Sequence, residues 1–305
     1  MVQIKHILCP IDFSDHSRHA LDHAVALARW YRASIVVMYV HRLAVPTFAV
    51  GPFITPQAFQ PIGLTDVERA HLLQGIGDFV AKDRAAGAAI ELLLEEDLNV
   101  ADAIVARAQT LAVDLIVIGT HGRSGFDRWV LGSVAEKVLR AALSPVLIVP
   151  PRAADAVPLS PTSIRRIICP LDFSPSSTRA LAFAASVAAQ AQAHLTVAHV
   201  VELLHEVQEM PVEGFDTYRK ARFEGAKRAM AQAVSSEAGG THKIDERLVA
   251  GKPYREILRL AAEQQADLIV MGVRGRGALD RMFFGSTTQH VVRQAACPVL
   301  TVREG

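Results

Sequence analysis

The amino-acid sequence predicts an α/β protein of two tandem, doubly wound, Rossmann-like domains, each a five-stranded parallel sheet with helices on both faces. Its length of 305 residues, half of them apolar, suits two domains of about 150 residues. An internal repeat supports this division, because ILCPIDFS at 7–14 returns as IICPLDFS at 167–174. Short β-branched strands also alternate with amphipathic helices, which is typical of parallel sheets joined by right-handed crossovers.

The repeat also sets the expected domain boundaries. A second pair of matching segments, DLIVIGTHGRSGFDRWVLGS and DLIVMGVRGRGALDRMFFGS, lies near the end of each half. Between the halves, PRAADAVPLSPTS is rich in Pro, Ala and Ser and has no apolar periodicity. We therefore expect one domain at 1–150, a linker at 151–163 and a second domain of the same kind at 164–305.

Each element of the first half has a local reason to form. Ser14 or Asp15 can cap a first helix, and Leu21 and Val25 lie on its inner face. β-branched residues mark the second strand. In chain order we predict strand 4–9, a helix from 14 or 15 to 31, strand 34–40, helix 65–85, strand 89–95, helix 100–111, strand 114–119, helix 132–142 and strand 146–149. The second half repeats this order.

Composition excludes several functional classes. The formal net charge of +1, with acids and bases mixed, argues against a nucleic-acid-binding surface. The N-terminal segment lacks the features of a signal peptide, and the regularly patterned uncharged stretch at 180–201 contains Gln and His residues that disfavour a membrane span. Cys9, Cys169 and Cys297 form no CxxC pair, so we expect reduced core residues in a cytoplasmic protein.

A glycine-rich segment follows the fourth strand of each half. The first reads Gly119-x-x-Gly122, nine residues, then Gly132-Ser133, and the same spacing recurs from Gly272. A glycine turn that ends at a helix start presents backbone N–H groups and the positive end of the helix dipole, which suits phosphate. The alternative is a flexible loop with a Gly-Ser helix cap, but the repetition of the spacing disfavours it.

An aspartate follows the first strand of each half. Asp12 and Asp172 each stand in P-[IL]-D-F-S, at a strand end where ligands bind in open parallel sheets. Their carboxylates can accept hydrogen bonds from ribose hydroxyls or an adenine amino group. The alternative role is a helix N-cap. Because Ser14 and Ser174 can cap instead, we favour the ligand role.

These motifs together resemble the ATP-binding subclass of the universal stress protein family, over both halves apart from the linker and residues 42–63. The resemblance implies a regulatory stress-response protein that binds ATP, alone or with Mg²⁺, and hydrolyses it slowly at most. It names no catalytic residue and no protein metal site. The positions it assigns to the nucleotide are Pro10, Asp12, Val40, Gly119, His121, Gly122, Arg123, Gly132, Ser133 and Val134 in the first half, and Pro170, Asp172, Val200, Gly272, Arg274, Gly275, Arg276, Gly285, Ser286 and Thr287 in the second.

The halves are not equivalent in charge. Arg274 stands where the first half has His121, so the second site is expected to hold ATP more tightly.

Two other interpretations of the function stay open: an ATP-using nucleotidyl transferase of related fold, and a structural pseudo-dimer with vacant sites. The strands 146–149 and 299–302 resemble those by which single-domain relatives pair, and here they can pair with each other. An unidentified protein partner and a homodimer of the whole chain are further alternatives.

Three histidines of the first predicted helix form a possible metal site. His16, His19 and His23 share one face of the first helix, a spacing that can hold a metal. The second repeat has Ser176, Arg179 and Phe183 there, so a polar surface face is the favoured interpretation.

The loop 42–63 is uncharged from Leu43 to Thr65 and rich in proline, which predicts a cover or a partner surface.

Overall fold

A computed structural model describes residues 2–44, 61–120, 131–151, 157–202, 212–237, 244–273 and 285–304. The predicted alternation of strands and helices is present in both halves. The first half comprises β1 His6–Ile11, α1 Asp15–Tyr31, β2 Ser34–Arg42, α2 Asp66–Ala85, β3 Ile90–Asp97, α3 Val100–Thr110, β4 Leu115–Gly119, α4 Ser133–Ala141 and β5 Val146–Val149. The second comprises β6 Arg166–Pro170, α5 Pro175–Ala191, β7 His194–Val201, α6 Val212–Glu237, β8 Ile244–Ala250, α7 Pro253–Glu263, β9 Leu268–Gly272, α8 Ser286–Gln294 and β10 Val299–Val302.

Within the described residues the strands form one ten-stranded sheet in the order β3-β2-β1-β4-β5-β10-β9-β6-β7-β8. Neighbouring strands inside each half are parallel, and the order reverses beside the first strand of that half, between β1 and β4 and between β6 and β9. The two tandem five-stranded parallel units are therefore confirmed. Each has the doubly wound arrangement in which ligands bind at the carboxyl edge.

The closing strands join the two halves. β5 and β10 pair antiparallel, with Val299 opposite Ile148 and Leu300 opposite Leu147. The hydroxyl of Thr301 adds a hydrogen bond to the carbonyl of Val146 at 3.2 Å. The pairing that the sequence allowed between these strands is therefore present. It makes the two units a single continuous sheet.

The core forms two layers because successive strand residues point to opposite faces of the sheet. Ile7 and Cys9 of β1 face a buried cluster that includes α1 and α5, whereas Leu8 faces a second cluster that includes α3 and α4. Covering both faces leaves the carboxyl edge of the sheet as the place where loops and helix N-termini converge.

Local hydrogen bonds explain where the elements begin. Strand pairing starts at His6 rather than at residue 4, and at this end of β1 the carboxylate of Asp114 accepts the N–H groups of Lys5 and His6. Ser14 caps α1 by accepting from the N–H of Ser17. α2 begins with a reciprocal capping box between Thr65 and Glu68.

The histidine face of α1 differs from the expected polar surface. His23 is buried, with 1% of its surface exposed, and its Nδ1 accepts a hydrogen bond from the N–H of Leu159 at 3.2 Å. Leu159 lies in the segment that joins the halves and is itself buried. Among the residues that the structure describes, no group of three or more His, Cys, Asp or Glu side chains could hold a metal ion.

The three cysteines differ in burial. Cys9 and Cys169 are buried as predicted, but Cys297 is only partly buried.

Residues 45–60 of the proline-rich loop lie outside the described residues, and the ends of the loop meet in an antiparallel bridge between Ala44 and Ile62. In the part of the chain that is described, no helix is long and apolar enough to cross a membrane.

Candidate functional site

A cleft of about 760 Å³ opens at the carboxyl edge of the second half. It lies where β6, β7 and β9 end and where α7 and α8 begin. A volume of this size suits a nucleotide-sized ligand. Among its lining residues are seven of the ten sequence-predicted positions of this half: Pro170, Asp172, Val200, Gly272, Gly285, Ser286 and Thr287. The other three, Arg274, Gly275 and Arg276, lie outside the described residues.

One end of the cleft is the N-terminus of α8. Gly285 is the N-cap of this helix, which begins at Ser286, and among the described residues no side chain makes a capping hydrogen bond. The hydroxyl of Ser286 is therefore not the cap that the sequence allowed it to be. The side chain is exposed at the first helical position, beside backbone N–H groups that carry the positive end of the helix dipole. This end of the cleft favours an anion.

Gly272 and its counterpart Gly119 allow close packing between a helix and a strand. A Cβ on Gly272 would lie 2.7 Å from the Oγ of Ser176 and 2.8 Å from the backbone N of Ser177, both in α5. A Cβ on Gly119 would lie 3.0 Å from the carbonyl oxygen of His16. The sequence interpretation assigned these glycines to phosphate contact, and it missed this packing role because the helix contact is distant in sequence.

The carboxylate of Asp172 accepts hydrogen bonds within the turn that follows β6. Its Oδ1 accepts hydrogen bonds from the backbone N–H of Ser174 at 3.0 Å and from the Ser174 hydroxyl at 2.5 Å. Ser174 in turn caps α5 by accepting from the N–H of Ser177. Asp12 and Ser14 make the same pair of contacts in the first half. Ser14 and Ser174 cap the helices, as expected. They also donate hydrogen bonds to Asp12 and Asp172, which the sequence did not predict.

The residue after each aspartate has a left-handed backbone. Phe13 has φ of 64° and Phe173 has φ of 62°, a conformation that costs free energy for a residue with a side chain. Phe173 lines the cleft, and its ring packs against that of His199 at a centroid distance of 4.5 Å. The Nδ1 of His199 lies 2.7 Å from the carbonyl of Leu171 and must donate, since a carbonyl oxygen only accepts. Sequence reasoning missed both rings, although the repeated DFS was a signal for Phe173.

The opposite wall of the cleft comes from α6. Its lining residues are small apart from one cation: Ala221, Arg222, Gly225, Ala226 and Ala229. Arg222 is exposed and lies near enough to line the cleft, which puts a positive charge on this wall. The sequence interpretation missed α6, because alanines mixed with charged residues also suit a solvent-exposed helix.

The first-half positions occupy the equivalent places in the fold. Pro10 and Asp12 lie at or just after the end of β1, Val40 lies near the end of β2, and Gly119 ends β4. Gly132 is the N-cap of α4, followed by Ser133 and Val134 in its first turn. His121, Gly122 and Arg123 lie outside the described residues.

Both helix-capping glycines have negative φ, −59° at Gly132 and −60° at Gly285. Residues with side chains adopt these angles readily, so the turn itself does not require glycine here. A role for either glycine in ligand approach would have to be steric.

Comparisons with known proteins agree with this architecture. The model of the universal stress protein family matches twice, at residues 3–150 and 163–303. A universal stress protein of Thermus aquaticus is 38% identical over 139 residues, covering 46% of this chain and 98% of that protein. One from Mycolicibacterium smegmatis is 25% identical over 299 residues, covering 97% of this chain and 96% of that protein.

A solved structure extends the likeness across both halves. The crystal structure of a universal stress protein from Archaeoglobus fulgidus matches with a TM-score of 0.68 at 24% identity, covering 99% of this chain and 97% of the other. At that identity the match concerns the fold alone. The family model covers nearly the whole chain in two copies. The chain therefore belongs to the universal stress protein family, as a tandem two-domain member.

Proposed function

We propose that this protein binds an adenine nucleotide, ATP in particular, in the second-half cleft and acts as a regulatory stress-response protein. The observation that carries the proposal is the cleft of about 760 Å³, which joins a helix N-terminus that no described side chain caps to an aspartate just after a strand end. These two features suit the phosphate and the nucleoside ends of one ligand.

The phosphate end is expected at α8. Ser286 and Thr287 offer first-turn N–H groups and hydroxyls, and the N-terminus of α7 also borders the cleft at Pro253. Two helix dipoles then direct their positive ends toward one anion, which stabilises it without a protein metal. A Mg²⁺ ion bound to the triphosphate would arrive with the nucleotide.

The nucleoside end is expected beside Asp172 and Val200. The carboxylate of Asp172 is hydrogen-bonded to Ser174 and lines the cleft, and a carboxylate can accept further hydrogen bonds from a ribose or base. Val200 lies near the end of β7, where its backbone groups reach the cleft edge. The resemblance noted from the sequence assigns the same two positions to the nucleotide.

Calorimetric titration of ATP into the full chain tests the proposal. We expect saturable binding, weaker binding of tripolyphosphate, and nucleotide retained through gentle purification and detectable by mass spectrometry. A turnover assay on the same sample separates a binding protein from an enzyme, since ordinary enzymes turn over about once per second or faster. Absence of any ATP binding at low salt would contradict the proposal.

A further inference from the structure

The two halves differ at the wall that α6 forms in the second half and α2 forms in the first. The segments QGIGDFV at 74–80 and EGAKRAM at 224–230 align on a glycine, and the alignment pairs Val80 with Met230, both of which are buried. On this alignment Ala226 replaces Ile76 and Ala229 replaces Phe79. Two large side chains of the first half are therefore methyl groups in the second.

In the second half this wall is open. Ala226 and Ala229 line the cleft, together with Gly225. A Cβ built on Gly225 would meet no atom within 4 Å among the described residues. Glycine weakens a helix interior, and here no neighbour among the described residues requires it. The open space beside Gly225 is continuous with the cleft that reaches α8.

In the first half the corresponding space is filled. The ring of Phe79 packs edge-on against Phe13 at 5.7 Å, and Phe13 packs against Tyr39 at 5.0 Å. Ile76 is fully buried. Arg18 fixes the arrangement from outside, with its guanidinium 5.2 Å from the Phe79 ring centroid and a hydrogen bond to the Phe79 carbonyl.

We propose that Ala226 and Ala229 form the base-binding wall of the second half, and that Ile76 and Phe79 fill the equivalent space of the first. The chain would then bind one adenine ring, in the second half, with its face toward α6. This rests on the proposed function, because phosphates at α8 leave the α6 end of the cleft for the base. Arg222 on the same wall can stack on the ring, as guanidinium groups do.

The matched variants are Ala229→Phe and Ala231→Phe, the same substitution on one helix. Ala229 lines the cleft, whereas Ala231 is exposed and turned away from it. We expect Ala229→Phe to weaken ATP binding by about tenfold or more, since base packing contributes strongly to affinity. Tripolyphosphate, which has no base, should bind both variants and the unchanged protein alike. Gly225→Leu gives a second way to fill the same space.

Calorimetry of these variants separates the two proposals. If the unchanged protein binds ATP but both Ala229→Phe and Gly225→Leu bind it equally well, the base-wall assignment is wrong and the proposed function stands. A stoichiometry of two ATP per chain would also overturn the assignment. If the unchanged protein binds no ATP, the proposed function fails and this inference fails with it.

Discussion

The Nδ1 of His23 accepts a hydrogen bond from the backbone N–H of Leu159 at 3.2 Å, and this contact ties the first helix to the segment between the halves. An imidazole nitrogen can accept only while it is unprotonated. Burial lowers the pKa of His23 to about 4, while Asp22 raises it and His19 lowers it to smaller extents. The neutral ring is therefore the form that fits the folded protein.

This contact predicts acid-dependent stability. Unfolded histidine titrates near pH 6.5, so the unfolded state binds more protons than the folded state between about pH 6.5 and 4. The free energy of unfolding should therefore fall as the pH drops through that window, by roughly 3 kcal/mol from this residue. Urea denaturation at a series of pH values measures the change.

The control for the pH series is a pair of histidine variants. His23→Gln should lose this part of the pH dependence, whereas His71→Gln, at an exposed position on α2, should keep it. Equal slopes in His23→Gln and the unchanged protein would show that His23 is not the group responsible.

The change in the free energy of unfolding on replacing a glycine by alanine should depend on the space available to the new Cβ atom. Gly272→Ala places a methyl group 2.8 Å from backbone atoms of Ser176 and Ser177, and overpacking of this kind costs about 1–3 kcal/mol. Gly119→Ala should cost less, since its nearest contact is 3.0 Å. Gly225→Ala should stabilise the protein by about 0.5–1 kcal/mol, because it improves a helix and meets open space.

Chemical denaturation of the three glycine variants tests this order. The spectroscopic baselines should match those of the unchanged protein, as expected for changes that leave the fold intact. If Gly272→Ala were as stable as Gly225→Ala, the close approach of α5 to the end of β9 would not be the reason for glycine there.

The thiols should resist modification in the folded protein. Burial raises the pKa of Cys9, Cys169 and Cys297 to about 12, so the reactive thiolate is scarce near neutral pH. A colorimetric thiol reagent at pH 8 should react fast only after unfolding in urea. Cys297, which is partly exposed, should react first as the pH is raised. Rapid reaction of Cys9 in native buffer would contradict its burial.

The element order and the convergence of the second-half positions could be predicted because they follow from repeats and local patterns. Asp172 and Gly285 come together because strand ends and helix starts share one edge of a parallel sheet. The burial of His23 could not be predicted, since its partner Leu159 is 136 residues away and polar residues at helical spacing also suit a surface. The open wall at Ala229 could not be predicted either, because it depends on how α6 and α2 pack beside Phe173 and Phe13.

A negative charge at the phosphate end of the cleft tests most directly whether a nucleotide binds in the second half. Ser286→Asp should fold normally, because an acidic residue in the first turn of α8 is favourable to the helix dipole. The same carboxylate should repel a triphosphate. Ser133→Asp makes the identical change at the start of α4 in the first half.

Calorimetric titration of ATP into these two variants at low salt gives the deciding comparison. We predict that Ser286→Asp lowers ATP affinity by about tenfold or more and that Ser133→Asp leaves it unchanged. Full ATP affinity in Ser286→Asp, or its loss in Ser133→Asp alone, would contradict the assignment of the nucleotide to the second-half cleft.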